Sequence, residues 1–247
     1  PHGFKAYIPS KNFNEEHIEK MEILSFFQSM YTITWEKAEI ENQDWNKIWE
    51  ENFTPILVRD CILVRAGFHP TIENIEHEII IDPKMSFGTG HHATTALMLE
   101  TILDMKPEFS GKQILDMGCG TGILSIMAAQ AGAKEITGID IDEWAYNNAM
   151  ENIATNHIDN IRILIGDASL LNGQDHYDII LANINRNILL NDMHSYVNVL
   201  NTNGYLIMSG FYTEDIPIIR EKAEQLGLTY QSNKVKDNWT AVIFHQK

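Results

Sequence analysis

Short apolar runs alternate with longer amphipathic stretches along most of the chain, and the two periods predict strands and helices in turn. Strands are expected at Ile56–Ala66, His77–Ile81, Gln113–Asp116, Glu135–Asp140, Ile161–Ile165, Tyr177–Leu181, Gly204–Gly210, Thr229–Lys234 and Trp239–His245. Helices are expected from Ala93 to about Met105, and over Ile123–Ala129, Trp144–Ala154, Ile188–Leu200 and Asp215–Gln225. Apolar strands separated by helices are buried on both faces, which implies a parallel sheet. The last two strands are joined only by residues 235–238, too short for a crossover, so they should form an antiparallel hairpin at one edge. The expected fold class is α/β, a doubly wound and mostly parallel sheet.

The first part of the chain follows a different pattern. Phe4–Ile8 alternates like a strand, Asn12 and Glu15 have capping-box spacing, 15–29 is helical, and Tyr31–Trp35 is β-branched and aromatic. This β-α-β piece is too small to bury much surface by itself. It reads as a small α+β module over 1–41, truncated at its start because the chain begins at Pro1. Asp44 can cap a linker helix within 42–54 whose apolar edge is Trp45, Ile48 and Trp49, and 55–247 carries the large sheet.

Composition narrows the classes. The 247 residues are 44% hydrophobic with no run long enough to span a membrane, as in an ordinary soluble protein. Two distant cysteines, Cys61 and Cys119, form no metal or redox spacing, so both are read as reduced thiols in a cytoplasmic protein. A net charge of −16 argues against nucleic-acid binding and favours a basic partner. The chain is expected to be a monomer without a membrane attachment.

The chemistry gathers at strand ends. The run 113–116 ends in Asp116, glycines follow at 118, 120 and 122, and a helix begins at once. Such a turn lets a ligand approach backbone N–H groups. The spacing is Gly-x-Gly-x-Gly rather than the dinucleotide Gly-x-Gly-x-x-Gly, and a carboxylate at the turn would repel a pyrophosphate. Asp116 suits the ammonium of an amino acid, Asp140 a ribose diol, and Asp167 an adenine amino group. Each acid could instead be a helix cap or turn former. An amino acid, a ribose and an adenine without phosphate make up S-adenosylmethionine. A second glycine loop, Phe87-Gly88-Thr89-Gly90-His91-His92, opens the helix at Ala93. Gly88 and His92 are candidate ligand contacts there, along with Gly118, Gly120 and Gly122. His91 and His92 lack a third ligand nearby, so no metal site is expected.

Asp116-Met-Gly-Cys-Gly-Thr-Gly122 with Gly138-Ile-Asp-Ile-Asp142 resembles the class I methyltransferases. Asp82-Pro83, Phe87-Gly-Thr-Gly90, His92, Thr94-Thr95 and Leu181-Ala-Asn-Ile184 more narrowly resemble the bacterial family that methylates large-subunit ribosomal protein eleven. That resemblance implies a Rossmann-like catalytic domain behind a substrate-recognition module. It also implies trimethylation of amino groups on the ribosomal protein, with Thr95, Gly118, Asp140 and Asn183 at cofactor-contacting positions. The chain departs from the family at His91 and Ala93, where Thr and Pro are usual, and over Asn185-Arg186-Asn187. Asn183, with the loop from Phe87 to His92, is expected to orient the acceptor amine, and Phe87 is a second candidate catalytic residue. Rival readings are a methyltransferase with another protein or small-molecule amine as acceptor, a non-catalytic S-adenosylmethionine-binding module, and a dehydrogenase.

Overall fold

The computed structural model describes residues 13–14, 31, 54–82, 88, 90–172 and 175–247. The α+β module and the linker helix expected in the first 54 residues lie almost wholly outside the described residues, as do Phe87 and Thr89. The chain divides into two compact units, Pro1–Asn52 and Phe53–Lys247.

The second unit opens with a small sheet of β1 (Ile56–Val58), β2 (Ile62–Arg65) and β3 (His77–Ile80), in that order. The apolar run at 56–66 is therefore a hairpin rather than a continuous strand. Arg59 and Asp60 both take positive φ, 50° and 56°, and Cys61 N–H donates to the Val58 carbonyl at 3.2 Å. That turn matches the right-handed twist of the flanking strands.

Next come α1 (Ala93–Asp104), the short α2 (Lys106–Phe109), β4 (Gln113–Met117), α3 (Ile123–Gln130), β5 (Glu135–Asp140), α4 (Glu143–Thr155) and β6 (Ile161–Ile165). The chain continues through β7 (Tyr177–Asn183), α5 (Arg186–Val199), β8 (Leu200–Tyr212), α6 (Ile216–Gln225), β9 (Leu228–Lys236) and β10 (Trp239–Gln246). The large sheet has the order β6-β5-β4-β7-β8-β10-β9, with β10 antiparallel to both neighbours and the other pairings parallel. The expected C-terminal hairpin is present, with β9 at the edge.

Successive residues of the central strands enter different cores. Ile114, Ile179, Leu181 and Ile207 pack beneath α1 and α3, while Leu115, Ile180, Ala182, Leu206 and Met208 pack with Leu189, Met193 and Ile219 of α5 and α6. Strand order reverses between β4 and β7, and in open α/β sheets ligands bind at such a reversal, in the crevice outside the carboxyl ends of the strands.

A ladder of asparagines along α4 and at its C-cap ties the end of the small sheet to α4 and to the glycine turn. Asn156 donates to the Ile80 carbonyl at 2.7 Å and accepts from Ile80 N–H at 2.9 Å. Asn152 accepts from Asp82 N–H at 2.8 Å and donates to the Thr121 carbonyl at 2.9 Å, and Asn148 donates to the Asp82 carbonyl at 3.2 Å. Asn148 and Asn152 are each only 1% exposed. Replacing Asn152 with Leu leaves a strand-end N–H and the Thr121 carbonyl unpaired. The expected cost is about 2 kcal/mol, from roughly 1–3 kcal/mol per buried group left unsatisfied. A urea titration that leaves the midpoint in place would refute it.

Candidate active site

The glycine turn after β4 is pinned by its own neighbours. The N–H groups of Gly118 and Cys119 donate to the Ile139 carbonyl at 2.8 and 3.2 Å, and Gly122 N–H donates to the Cys119 carbonyl at 2.8 Å. Gly120 N–H donates to Asp140 Oδ2 at 2.9 Å, while Asp140 Oδ1 accepts from Asp142 N–H at 3.0 Å. Contrary to the reading that a ligand sits on these amides, four of them already serve protein acceptors. An anion cradle needs free donors, so the turn is ill suited to a pyrophosphate. The glycines are needed for a different reason. Gly118 has φ +67°, and a Cβ on it would fall 2.4 Å from the Ile184 Cγ2 methyl beside Asn183. Gly122, at φ +78°, starts α3 without a side-chain cap.

The Asp116 carboxylate, expected to meet an ammonium group, leaves its Oδ1 unpartnered among the described residues. It is fully buried beneath the turn, and its Oδ2 accepts from Ser125 Oγ of α3 at 2.6 Å. Loss of hydration pushes its carboxyl up to about 6, against the Ser125 hydrogen bonds, and the nearby Asp140 charge adds to the rise. Burial also drives the Cys119 thiol well above its ordinary range, so the thiol stays protonated.

Buried polar atoms normally find a partner. Among the described residues six buried side-chain N or O atoms have none, and three belong to expected site residues: Thr95 Oγ1, Asp116 Oδ1 and Asn183 Oδ1. Thr95 sits in the first turn of α1, and Asn183 ends β7 next to β4 at the strand-order reversal. This acceptor set fits a ligand rich in N–H and O–H donors, such as the ammonium and ribose groups of S-adenosylmethionine.

The second loop is stitched to the first. Thr121 Oγ donates to the Gly88 carbonyl at 2.6 Å. His92 caps α1, its Nδ1 accepting from Thr94 N–H at 3.4 Å and lying 2.8 Å from Thr94 Oγ1. Asp167 is exposed at the end of β6, where Oδ1 accepts from Ser169 N–H at 2.9 Å. The Ser169 bonds hold its carboxyl below the ordinary range. One of its oxygens is thus a turn cap. Among the described residues no group of three or more His, Cys, Asp or Glu side chains could hold a metal ion, and no helix is long and apolar enough to cross a membrane.

Sequence reasoning missed the Asn148–Asn152–Asn156 ladder and the aromatic group of His92, Tyr212 and Trp239. The asparagines recur every fourth residue, a signal that was available. The aromatic group joins three distant segments and leaves no local pattern.

A seven-stranded sheet of this order, with an acid closing β5 and glycines after β4, is the class I methyltransferase fold. A methyltransferase from Pyrococcus furiosus, 17% identical, shares it with a TM-score of 0.57 over 68% of this chain and 89% of that one. The structure of a ribosomal protein L11 methylase from Lactobacillus delbrueckii subsp. bulgaricus is 26% identical and superposes with a TM-score of 0.71, covering 79% of this chain and 100% of that one. The family model described as "Ribosomal protein L11 methyltransferase (PrmA)" matches residues 2–247. A Bacteroides fragilis ribosomal protein L11 methyltransferase is 47% identical over 243 residues, 98% of this chain and 86% of its own length. The Porphyromonas gingivalis protein of the same name is 54% identical over 202 residues, 81% of this chain and 69% of its own. The chain belongs to the ribosomal protein L11 methyltransferase family.

Proposed function

We propose that the protein transfers methyl groups from S-adenosylmethionine to amino groups, both lysine side chains and the N-terminal amine, of large-subunit ribosomal protein L11. Family membership supports the substrate. The observation that carries the site is the set of buried, unpartnered side-chain oxygens on Thr95, Asp116 and Asn183, with Asp140 at the end of β5, the strand next to β4. Thr95, Gly118, Asp140 and Asn183 would hold the donor, Asp116 acting from below as a buried negative charge and Asp167 lying beyond the ribose site. The chain's net charge of −16 suits a basic ribosomal substrate and steers its approach. We assign substrate recognition to residues 1–41, linkage to 42–54 and catalysis to 55–247. The protein acts as a cytoplasmic monomer that touches the ribosomal protein rather than nucleic acid.

The bound donor supplies a methyl group made electrophilic by a sulfonium. The rest is positioning, since a neutral amine has only to be aligned with that carbon. A lysine of ordinary pKa near 10.4 must first lose a proton, and solvent at the crevice mouth can take it. Asn183 is an uncharged amide at the strand end, and its Oδ1 can accept from an amine N–H without trapping the amine as an ion pair. Incubation with labelled S-adenosylmethionine and purified ribosomal protein L11 should give incorporation into amines alone. Asn183→Ala should slow single-turnover transfer by about 10²-fold, the loss expected from misplacing a reacting group. An unchanged rate removes Asn183 from the mechanism, and no incorporation by the wild type removes the substrate.

A further inference from the structure

Three rings stand together at the carboxyl edge of the sheet. Tyr212 ends β8, Trp239 opens β10 directly opposite it, and His92 caps α1. The Tyr212 and Trp239 centroids are 4.1 Å apart at 35°, and the His92 ring meets Trp239 edge-on at 4.7 Å. The core does not require Tyr212, which is 42% exposed while its neighbour Phe211 fills the interior.

The group adjoins the Asn183 strand end. Asn183 lies opposite Ser209 in the β7–β8 pair, and Ser209 Oγ donates to the Thr240 carbonyl beside Trp239 at 2.7 Å. Gly210 runs so close to Ile184 that a Cβ would fall 2.3 Å from the Ile184 carbonyl oxygen. Acids follow at once. Asp215 accepts from Tyr212 N–H at 3.3 Å and pairs with Arg186 at 2.6 Å, while Glu214 accepts from Asn238 Nδ2 at 3.1 Å.

We propose that Trp239, Tyr212 and His92 form the wall on which the acceptor's ammonium group sits, and that this wall selects alkylamines over neutral amides at every stage of methylation. The proposal rests on the amine-acceptor reading above. A ring face attracts a cation through its quadrupole and needs no N–H to do so. A cage of carbonyls would lose one hydrogen bond for each methyl added, whereas a ring wall loses none. The chemistry matches. In each transfer the amine lone pair forms the new N–C bond and the C–S bond breaks with its electrons on sulfur. The leaving group is a neutral thioether, and the positive charge arrives on the nitrogen at the rings. One proton must pass to solvent before the next round.

The test combines kinetics, product mass spectrometry and ligand binding. Trp239→Leu should raise the acceptor KM about 3- to 30-fold, the range for a ring-held cation. It should also shift products toward mono- and dimethylamines while leaving the dissociation constant of S-adenosylmethionine unchanged, and Trp239→Phe should restore part of the loss. In the wild type, choline should move the Trp239 indole N–H resonance while its neutral isostere 3,3-dimethylbutanol should not. Equal responses to the two probes overturn the wall. So does an unaltered KM and product pattern in Trp239→Leu when the wild type methylates amines. A wild type that methylates no amine defeats the functional reading instead, and the choline titration then judges the wall independently.

Discussion

Asp116→Asn is expected to stabilise the ligand-free protein while weakening its binding of S-adenosylmethionine. The carboxyl titrates near 6 in the fold, against 3.8 for an ordinary aspartate. Its folded value is raised, so the folded state holds the proton more tightly than the unfolded chain. The stability this gives is fully present below about pH 4 and is lost as pH rises through 6. The difference is on the order of 3 kcal/mol at 1.36 kcal/mol per unit. The asparagine keeps an acceptor for Ser125 Oγ and cannot ionise. The stability of the variant relative to wild type should therefore climb by that amount between pH 4 and 7. Denaturant titrations at several pH values read it directly, and parallel curves would show that Asp116 is not the group. Binding moves the other way. An ammonium above the turn favours the ionised carboxylate, so wild-type affinity should fall below pH 6, and the variant should bind at least tenfold more weakly at pH 7 with no such fall. A charge kept at a cost in stability is expected at a functional site.

Gly210→Ala should be the most destabilising single methyl addition in the sheet. The position combines φ +96° with a Cβ site 2.3 Å from the Ile184 carbonyl oxygen and 2.7 Å from its carbon, both backbone atoms that cannot rotate away. Left-handed strain costs about 1–2 kcal/mol and forced overlap about 1–3 kcal/mol more. A total near 4 kcal/mol corresponds to a drop in Tm of roughly 10 °C for a unit of this size. Gly227 separates the two effects, since its φ is +90° but no heavy atom lies within 4 Å of a Cβ placed there. Gly227→Ala should lose only the strain. Equal losses in the two variants would show that the Ile184 contact carries nothing. Because Ile184 follows Asn183, Gly210→Ala should also reduce the transfer rate in the fraction that remains folded.

The large sheet was legible because its strands are apolar at successive positions, and Ile114–Leu115 and Ile179–Ile180 do enter opposite cores. The C-terminal hairpin followed from a short connection. What escaped reading depends on partners far along the chain. Arg59-Asp60 carries no glycine to mark its turn. Helix α4 misleads a hydrophobic-face argument, since Trp144 is 78% exposed while Asn148 and Asn152 are buried. Their amides meet the Asp82 backbone, which lies 66 and 70 residues earlier in the sequence. At the site, residue types placed Asp140 and Asn183 at strand ends correctly. The burial of Asp116 and the occupation of the glycine amides depend on α3 and β5 closing over the turn, and neither leaves a trace in spacing.

The asparagine ladder also bears on how the chain avoids sticking to copies of itself. Among the described residues β3 pairs with β2 on one side and with no strand on the other, and that edge would be an open template for a stranger's strand. Asn152 on α4 and Asn156 at its C-cap act there as a counterfeit strand, together with Gln130 of α3, which donates to the Glu78 carbonyl at 2.7 Å. Side-chain amides offer the same donor and acceptor as a peptide group but cannot be extended by another molecule. A helix thereby closes this edge of the small sheet, and loss of the amides would surface first as aggregation during folding.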